Sequence, residues 1–209
     1  MFLAGDTIKQ LVSEFNKIPG ERKDILKEIA SFISTKKSAQ LVFICTHNSR
    51  RSHISQIWAQ TAAAYFNIDN VEAYSGGTEA TAFNPRAVDA MRKIGFRIEE
   101  KSAGNNPRYV VTFSDQHPSF EVFSKKYDDP KNPSRDFAAI MTCTHADENC
   151  PLVVGASTRI SLPYDDPKDF DGTALESAKY LERSLEIGRE MLYAFSLIKA
   201  ASPTLSPSK

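Results

Sequence analysis

Cys45 and Arg51 bracket the stretch Cys45-Thr-His-Asn-Ser-Arg-Arg51, a thiol and a guanidinium separated by five residues. A thiolate attacks electrophilic centres, and a planar, permanently charged fork grips two oxygens of a tetrahedral anion as a lysine does not. The pair suggests nucleophilic attack on a bound oxyanion. Alone, C-x5-R is a weak pattern, because a cysteine ending an apolar run also reads as a small core residue. Its setting gives it weight. Ala39-Gln-Leu-Val-Phe-Ile-Cys45 is rich in β-formers and predicts a buried strand, while Ile54, Ile57, Trp58 and Ala62 keep helical spacing after Ser52. A loop from strand to helix presents backbone N–H groups and the positive end of the helix dipole, a field that favours an oxyanion and a thiolate alike. The candidate anion-binding residues are Thr46, His47, Asn48, Ser49, Arg50, Arg51 and Ser52. Asn48 and Ser49 suit internal fixing of the loop, and Ser52 suits a hydrogen bond to the thiolate or a helix cap.

Two further groups of residues could share this chemistry. Cys143-Thr-His-Ala-Asp-Glu-Asn-Cys150 follows a second apolar run. If Cys143 lies beside Cys45, its thiol can attack a covalent adduct on Cys45, and Cys150 can resolve the resulting disulfide. The alternative is a core cysteine followed by an incidental surface thiol. Tyr164-Asp-Asp-Pro167 is by itself only a turn, but an acid there can protonate a leaving oxygen as the thiolate attacks. The odd count of three cysteines argues against a secreted disulfide framework. The Cys143 to Cys150 spacing, with no second pair, argues against zinc. No metal is expected.

The elements that must position these groups alternate. Ile8, Leu11, Val12, Phe15 and Ile18, then Ile25, Leu26, Ile29, Phe32 and Ile33, predict two amphipathic helices broken at Pro19-Gly20. They suit packing on the main domain or on a second subunit, or a lid. Val71–Ser75 predicts a second strand, and Asn84-Pro85 opens a helix that Gly95 ends. Tyr109–Phe113 with Ser119–Ser124 predicts a β ribbon inside an insertion at about 105–135. Phe137–Cys143 and Thr158–Pro163 predict the last core strands, and a long helix opens at a Thr173–Glu176 capping box. The expected architecture is α/β, a doubly wound, four-stranded parallel sheet in residues 39–200, with sites at the carboxyl ends of strands. Residues 1–38 are expected to form an N-terminal helical extension, and residues 201–209 a disordered tail.

The 209 residues suit one main core, and 26 basic against 26 acidic residues leave no excess charge for a nucleic-acid backbone. With no run of about eighteen apolar residues and no basic lead in MFLAGDTIKQ, a soluble, cytoplasmic protein without membrane partners is expected.

CTHNSRRS, CTHADENC and YDDP together resemble the thioredoxin-coupled arsenate reductases, which share their fold with the low-molecular-weight protein tyrosine phosphatases. The resemblance runs from about Gln40 to Leu197 and leaves out the N-terminal helices. It implies that Cys45 attacks arsenate held by the loop and Arg51, and that Asp166 protonates the departing hydroxide. Cys143 then attacks the sulfur of Cys45, arsenite leaves, and Cys150 takes over the disulfide, which thioredoxin reduces. No cofactor is implied. The chain departs from the family pattern in four places. His47 stands where the phosphatases keep glycine, and Arg50 replaces a common cysteine. Gln56 replaces a glutamate that binds potassium in some reductases, and Lys168-Asp169-Phe170 lacks the tyrosines with which the phosphatases grip aryl substrates. The alternatives are a tyrosine phosphatase working through a cysteinyl-phosphate on Cys45, and a non-enzymatic oxyanion or redox sensor.

Overall fold

Strand β1 (Ala39–Cys45) is buried along almost its whole length, as a strand covered on both faces must be. In this computed structural model, which describes residues 1–150 and 152–201, β1 pairs in parallel with β2 (Val71–Gly77) on one side and β6 (Phe137–Met141) on the other. β7 (Ala156–Ser161) completes a four-stranded parallel sheet of order β2-β1-β6-β7. The fold is α/β, a four-stranded parallel sheet with helices on both faces. The chain leaves β1 toward β2 and later returns on the opposite side as β6. The crevice beyond the carboxyl ends of β1 and β6 is therefore the topological switch point, the place where such sheets bind ligands.

Helix α3 (Arg51–Tyr65) packs on one face of the sheet, beneath the long α6 (Glu176–Ala201). The two approach so closely that a Cβ at Gly188 would lie 2.5 Å from the Trp58 ring. α4 (Pro85–Ile94) also packs on α6, and starts and stops as its sequence predicts. Asn84 Oδ1 accepts from Arg86 N at 2.9 Å, and Gly95 ends the helix with φ of 119°. α6 itself begins at Glu176, later than the Thr173 start expected, because Glu176 reaches back to Gly172 N–H at 2.7 Å across a turn. On the opposite face, Val42, Ile44, Phe137, Ala139, Met141 and Val153 form a smaller core under α5 (Thr144–Asn149).

The N-terminal helices α1 (Gly5–Ser13) and α2 (Gly20–Thr35) pack against α6, burying Ile8, Leu11, Leu26, Ile29 and Ile33 completely. The ribbon β4 (Arg108–Thr112) and β5 (Phe120–Val122) gains a third antiparallel strand, β3 (Arg97–Ser102). β3 escapes a pattern reading because only Ile98 of its six residues is buried, and its charges mark an edge strand. Among the described residues no helix is long and apolar enough to cross a membrane. The expected tail, residues 201–209, lies outside the described residues except for the last residue of α6.

Candidate active site

Cys45 ends β1 almost fully buried, with its Sγ 3.1 Å from Ser52 Oγ on the first turn of α3. Asn48 Nδ2 donates to the same hydroxyl at 2.9 Å, and a thiolate at Cys45 leaves Ser52 as the donor toward sulfur. Ser52 therefore lies inside α3 rather than capping it; Arg50 holds the cap position without a side-chain bond. Asn48 has φ of 43°, a left-handed conformation that asparagine tolerates, and it lets the chain curl within so few residues.

The carbonyls of this loop point outward into bonds with its surroundings. Cys45 O accepts from Thr78 N at 3.2 Å, Thr46 O from Glu79 N at 2.8 Å, and Ser49 O from Asn84 N at 2.8 Å. His47 O accepts from Ser124 Oγ at 3.0 Å and from Thr81 Oγ1 at 3.2 Å. Among the described residues, no backbone N–H of residues 46–49 donates to a protein acceptor. Donors left over in this way, at a helix N-terminus, form a cradle for an anion.

Arg51 stands at the mouth. Its Nη2 donates to Asp166 Oδ2 at 2.7 Å and its Nη1 to Tyr164 O at 2.7 Å, while Arg50 Nε lies 3.6 Å from Asp166 Oδ1. Asp166 and the Tyr164 carbonyl thus occupy the guanidinium fork that a tetrahedral anion would use. The cavity between Cys45, Ser49, Arg51 and Asp166 has a volume of only about 10 Å³. Outside it, a cleft of about 440 Å³ is lined by Arg51, Cys143, His145, Asp166 and Phe170. Arg51 and Asp166 border both spaces and form the partition between them.

Cys143 lies beyond β6 on the same sheet edge, with Sγ 3.5 Å from Oγ1 of Thr46, which in turn lies 3.1 Å from His145 Nδ1. Its Sγ accepts from Ala146 N at 3.3 Å at the start of α5. Cys150 sits at the other end of α5, partly exposed, its Sγ 3.6 Å from Leu152 O. All three cysteines are free. Cys45, Arg51, Asp166 and Cys143 thus converge on one site, and α5 holds Cys150 away from it.

Several residues that shape the site carry no signal in the sequence. Thr78, Thr81 and Ser124 act on loop carbonyls, and Lys125 N donates to Asn48 Oδ1 at 2.9 Å, so the end of the ribbon insertion is a wall of the site. Phe170, set aside for lack of a phenol, lines the cleft. Gln56 Nε2 donates to Ala73 O at 3.2 Å, and its Oε1 accepts from Ser75 Oγ at 2.7 Å. His53, packed 4.4 Å from the Phe83 ring, is held neutral because burial pushes its pKa well below the ordinary value, helped by the charge of Lys125.

Gly77, the last residue of β2, permits the close approach of the loop. A Cβ there would lie 2.7 Å from both Asn48 N and Thr46 O. Gly77→Ala is expected to displace the cradle and weaken phosphate protection of Cys45 against iodoacetamide about 100-fold. Unchanged protection would show that the loop tolerates the shift.

No protein-family model matches the chain. Among curated proteins, it is 27% identical over 150 residues to arsenate reductase 2 of Staphylococcus epidermidis, an alignment covering 66% of this chain and 95% of that protein. It is 27% identical over 152 residues to the arsenate reductase of Halalkalibacterium halodurans, covering 72% of this chain and 91% of that one. Among solved structures, a low-molecular-weight phosphotyrosine phosphatase from Vibrio cholerae aligns over 75% of this chain and 94% of its own, with TM-score 0.49 and 13% identity.

Proposed function

We propose that this chain, a member of the family that unites the arsenate reductases with the low-molecular-weight protein tyrosine phosphatases, reduces arsenate to arsenite through a relay of three thiols. The observation that carries the reading is the shared sheet edge. Cys45 ends β1 and Cys143 lies just beyond its parallel neighbour β6, with Cys143 Sγ 3.5 Å from the hydroxyl of Thr46, the residue that follows Cys45 in the chain.

Arsenate enters the cradle and takes the Arg51 fork in place of Asp166. The Cys45 thiolate forms a bond to arsenic, one As–O bond breaks, and Asp166 gives its proton to the departing hydroxide, which leaves as water. The Cys143 thiolate then attacks Cys45 Sγ. A disulfide forms, the electron pair of the S–As bond stays on arsenic, and arsenic leaves reduced by two electrons as arsenite. Cys150 attacks Cys143 Sγ, freeing the Cys45 thiolate. A dithiol protein of the thioredoxin type returns two electrons to the Cys143–Cys150 disulfide.

This last disulfide cannot form across an intact α5. Cys143 and Cys150 flank its six residues, a rise of about 10 Å, whereas bridged cysteines need Cα atoms within about 7 Å. α5 must unwind as the relay proceeds. That motion would carry the disulfide outward to its reductant.

A second reading rests on Phe170. An aromatic wall in the cleft beside Arg51 and Asp166 suits an aryl phosphate, hydrolysed by Cys45, Arg51 and Asp166 alone. Arsenate reduction coupled to thioredoxin, thioredoxin reductase and NADPH, with an aryl-phosphatase assay on the same preparation, decides between them. Sustained NADPH oxidation, one per arsenite released, is the expected result. Hydrolysis of the aryl phosphate without arsenite would hand the site to the phosphatase reading.

A further inference from the structure

Residues 1–38 take no part in the chemistry above, yet one of their side chains reaches the loop that carries Asp166. Arg22 of α2 wedges its guanidinium between that loop and α6. Its Nη2 donates to Glu190 Oε2 at 2.7 Å, its Nε to Oε1 of the same carboxylate, and its Nη1 to Pro163 O at 3.1 Å. The guanidinium carbon lies 4.8 Å from the centroid of the Tyr164 ring. Tyr164 Oη in turn donates to Glu190 Oε2 at 2.7 Å.

The group is shielded from water: the Glu190 side chain is 3% exposed and that of Arg22 18%. Burial opposes the Arg22 charge, but the hydrogen bonds to Glu190 override it and hold its pKa above the ordinary value. Burial, reinforced by Glu190, raises the Tyr164 pKa well above normal and keeps the phenol a donor. A buried carboxylate so paired is strongly unfavourable once its partner is removed.

The other end of Tyr164 faces the chemistry. Its carbonyl accepts from Arg51 Nη1, while Arg51 Nη2 holds Asp166. An unbroken set of contacts runs from Arg22 through Glu190 and Tyr164 to Arg51 and Asp166. α6 adds further ties, since Arg183 bonds Asp165 at 3.1 Å, and Tyr180 accepts from Arg50 Nε at 3.2 Å. Those ties belong to the main domain, whereas Arg22 comes from outside it.

We infer that Arg22 is a positioning residue, through which the N-terminal extension fixes the Pro163–Asp166 loop and so sets where Asp166 meets Arg51 over Cys45. It touches no reacting atom. Its effect on rate rests on the general-acid reading of Asp166; its effect on the loop does not. α1 and α2 then act as a strut for the site.

The test compares wild type, Arg22→Ala, Arg22→Lys and Tyr164→Phe in the full-length chain, by amide hydrogen exchange and by single-turnover arsenate reduction. In Arg22→Ala, the amides of Tyr164, Lys168 and Asp169, bonded within and behind the loop, are expected to exchange at least about tenfold faster, while those of β1 and α3 keep wild-type protection. Arg22→Lys, which keeps the charge and loses the fork, falls between. Tyr164→Phe retains the ring and loses the phenol, giving the same local loosening without removing a buried charge. Single-turnover rate falls about 10- to 100-fold in Arg22→Ala, with phosphate protection of Cys45 unchanged. That loss disappears when Asp166→Asn is already present. Unchanged exchange across residues 163–169, or faster exchange across the whole chain, overturns the inference. So does a rate loss of equal size with and without Asp166. Local loosening in a protein that reduces no arsenate would refute the proposed function and uphold the strut.

Discussion

Replacing Cys143 by serine is expected to end sustained arsenate reduction, lowering turnover about 1000-fold or more, while phosphate protects Cys45 from alkylation as well as in the wild type. The cradle is built by residues 45–52 and their neighbours in 77–84 and 124–125, so the substitution leaves the anion site standing. What it removes is the buried thiol at the same sheet edge as Cys45. Without it, the adduct on Cys45 has no nucleophile to expel reduced arsenic, and arsenate acts as an inhibitor. Steady-state NADPH oxidation together with the alkylation assay measures both halves. Full turnover by the serine variant would mean that Cys143 is a core residue after all. Any hydrolysis of aryl phosphate that wild type shows should survive in the variant, because that reaction needs only Cys45, Arg51 and Asp166.

Arg51→Lys carries the second large effect. Its guanidinium makes two directed bonds, to Tyr164 O and to Asp166, each 2.7 Å long. An arriving tetrahedral anion would take the fork through a pair of parallel bonds. A lysine supplies one point charge and satisfies neither geometry. The expected loss in kcat/KM is about 100- to 1000-fold, the scale of losing an oriented donor to a developing charge. Phosphate protection of Cys45 should weaken in step. A lysine variant within threefold of wild type would place the anion outside the cradle, in the 440 Å³ cleft.

The part of the site lying in one stretch of chain was legible in the sequence. An apolar run ending at Cys45, a polar loop and a helical pattern from Ser52 are local features. The ends of β1 and β6 could be expected on one edge because a parallel α/β sheet requires it. The contacts that cross the chain were not legible. Arg22 and Glu190 lie 168 residues apart and are ordinary surface residue types on ordinary helices. Ser124 and Thr81 hold the loop through its carbonyls, which no side-chain pattern records. β3 was missed because an edge strand with one buried residue has no alternation to read. α5 was missed for a related reason: six mostly polar residues form a helix because Cys143 caps it and Asp147 ties it to Ser161 at 2.6 Å, not because of periodicity.

The proposed mechanism draws the two electrons that reduce arsenate from Cys143 and Cys150. Its most direct test is one turnover without reductant, followed by acid quench and mapping of thiols and disulfides by mass spectrometry. The expected products are one arsenite per chain, a disulfide between Cys143 and Cys150, and a free thiol at Cys45. Arsenite formed with Cys143 and Cys150 both still reduced would contradict it.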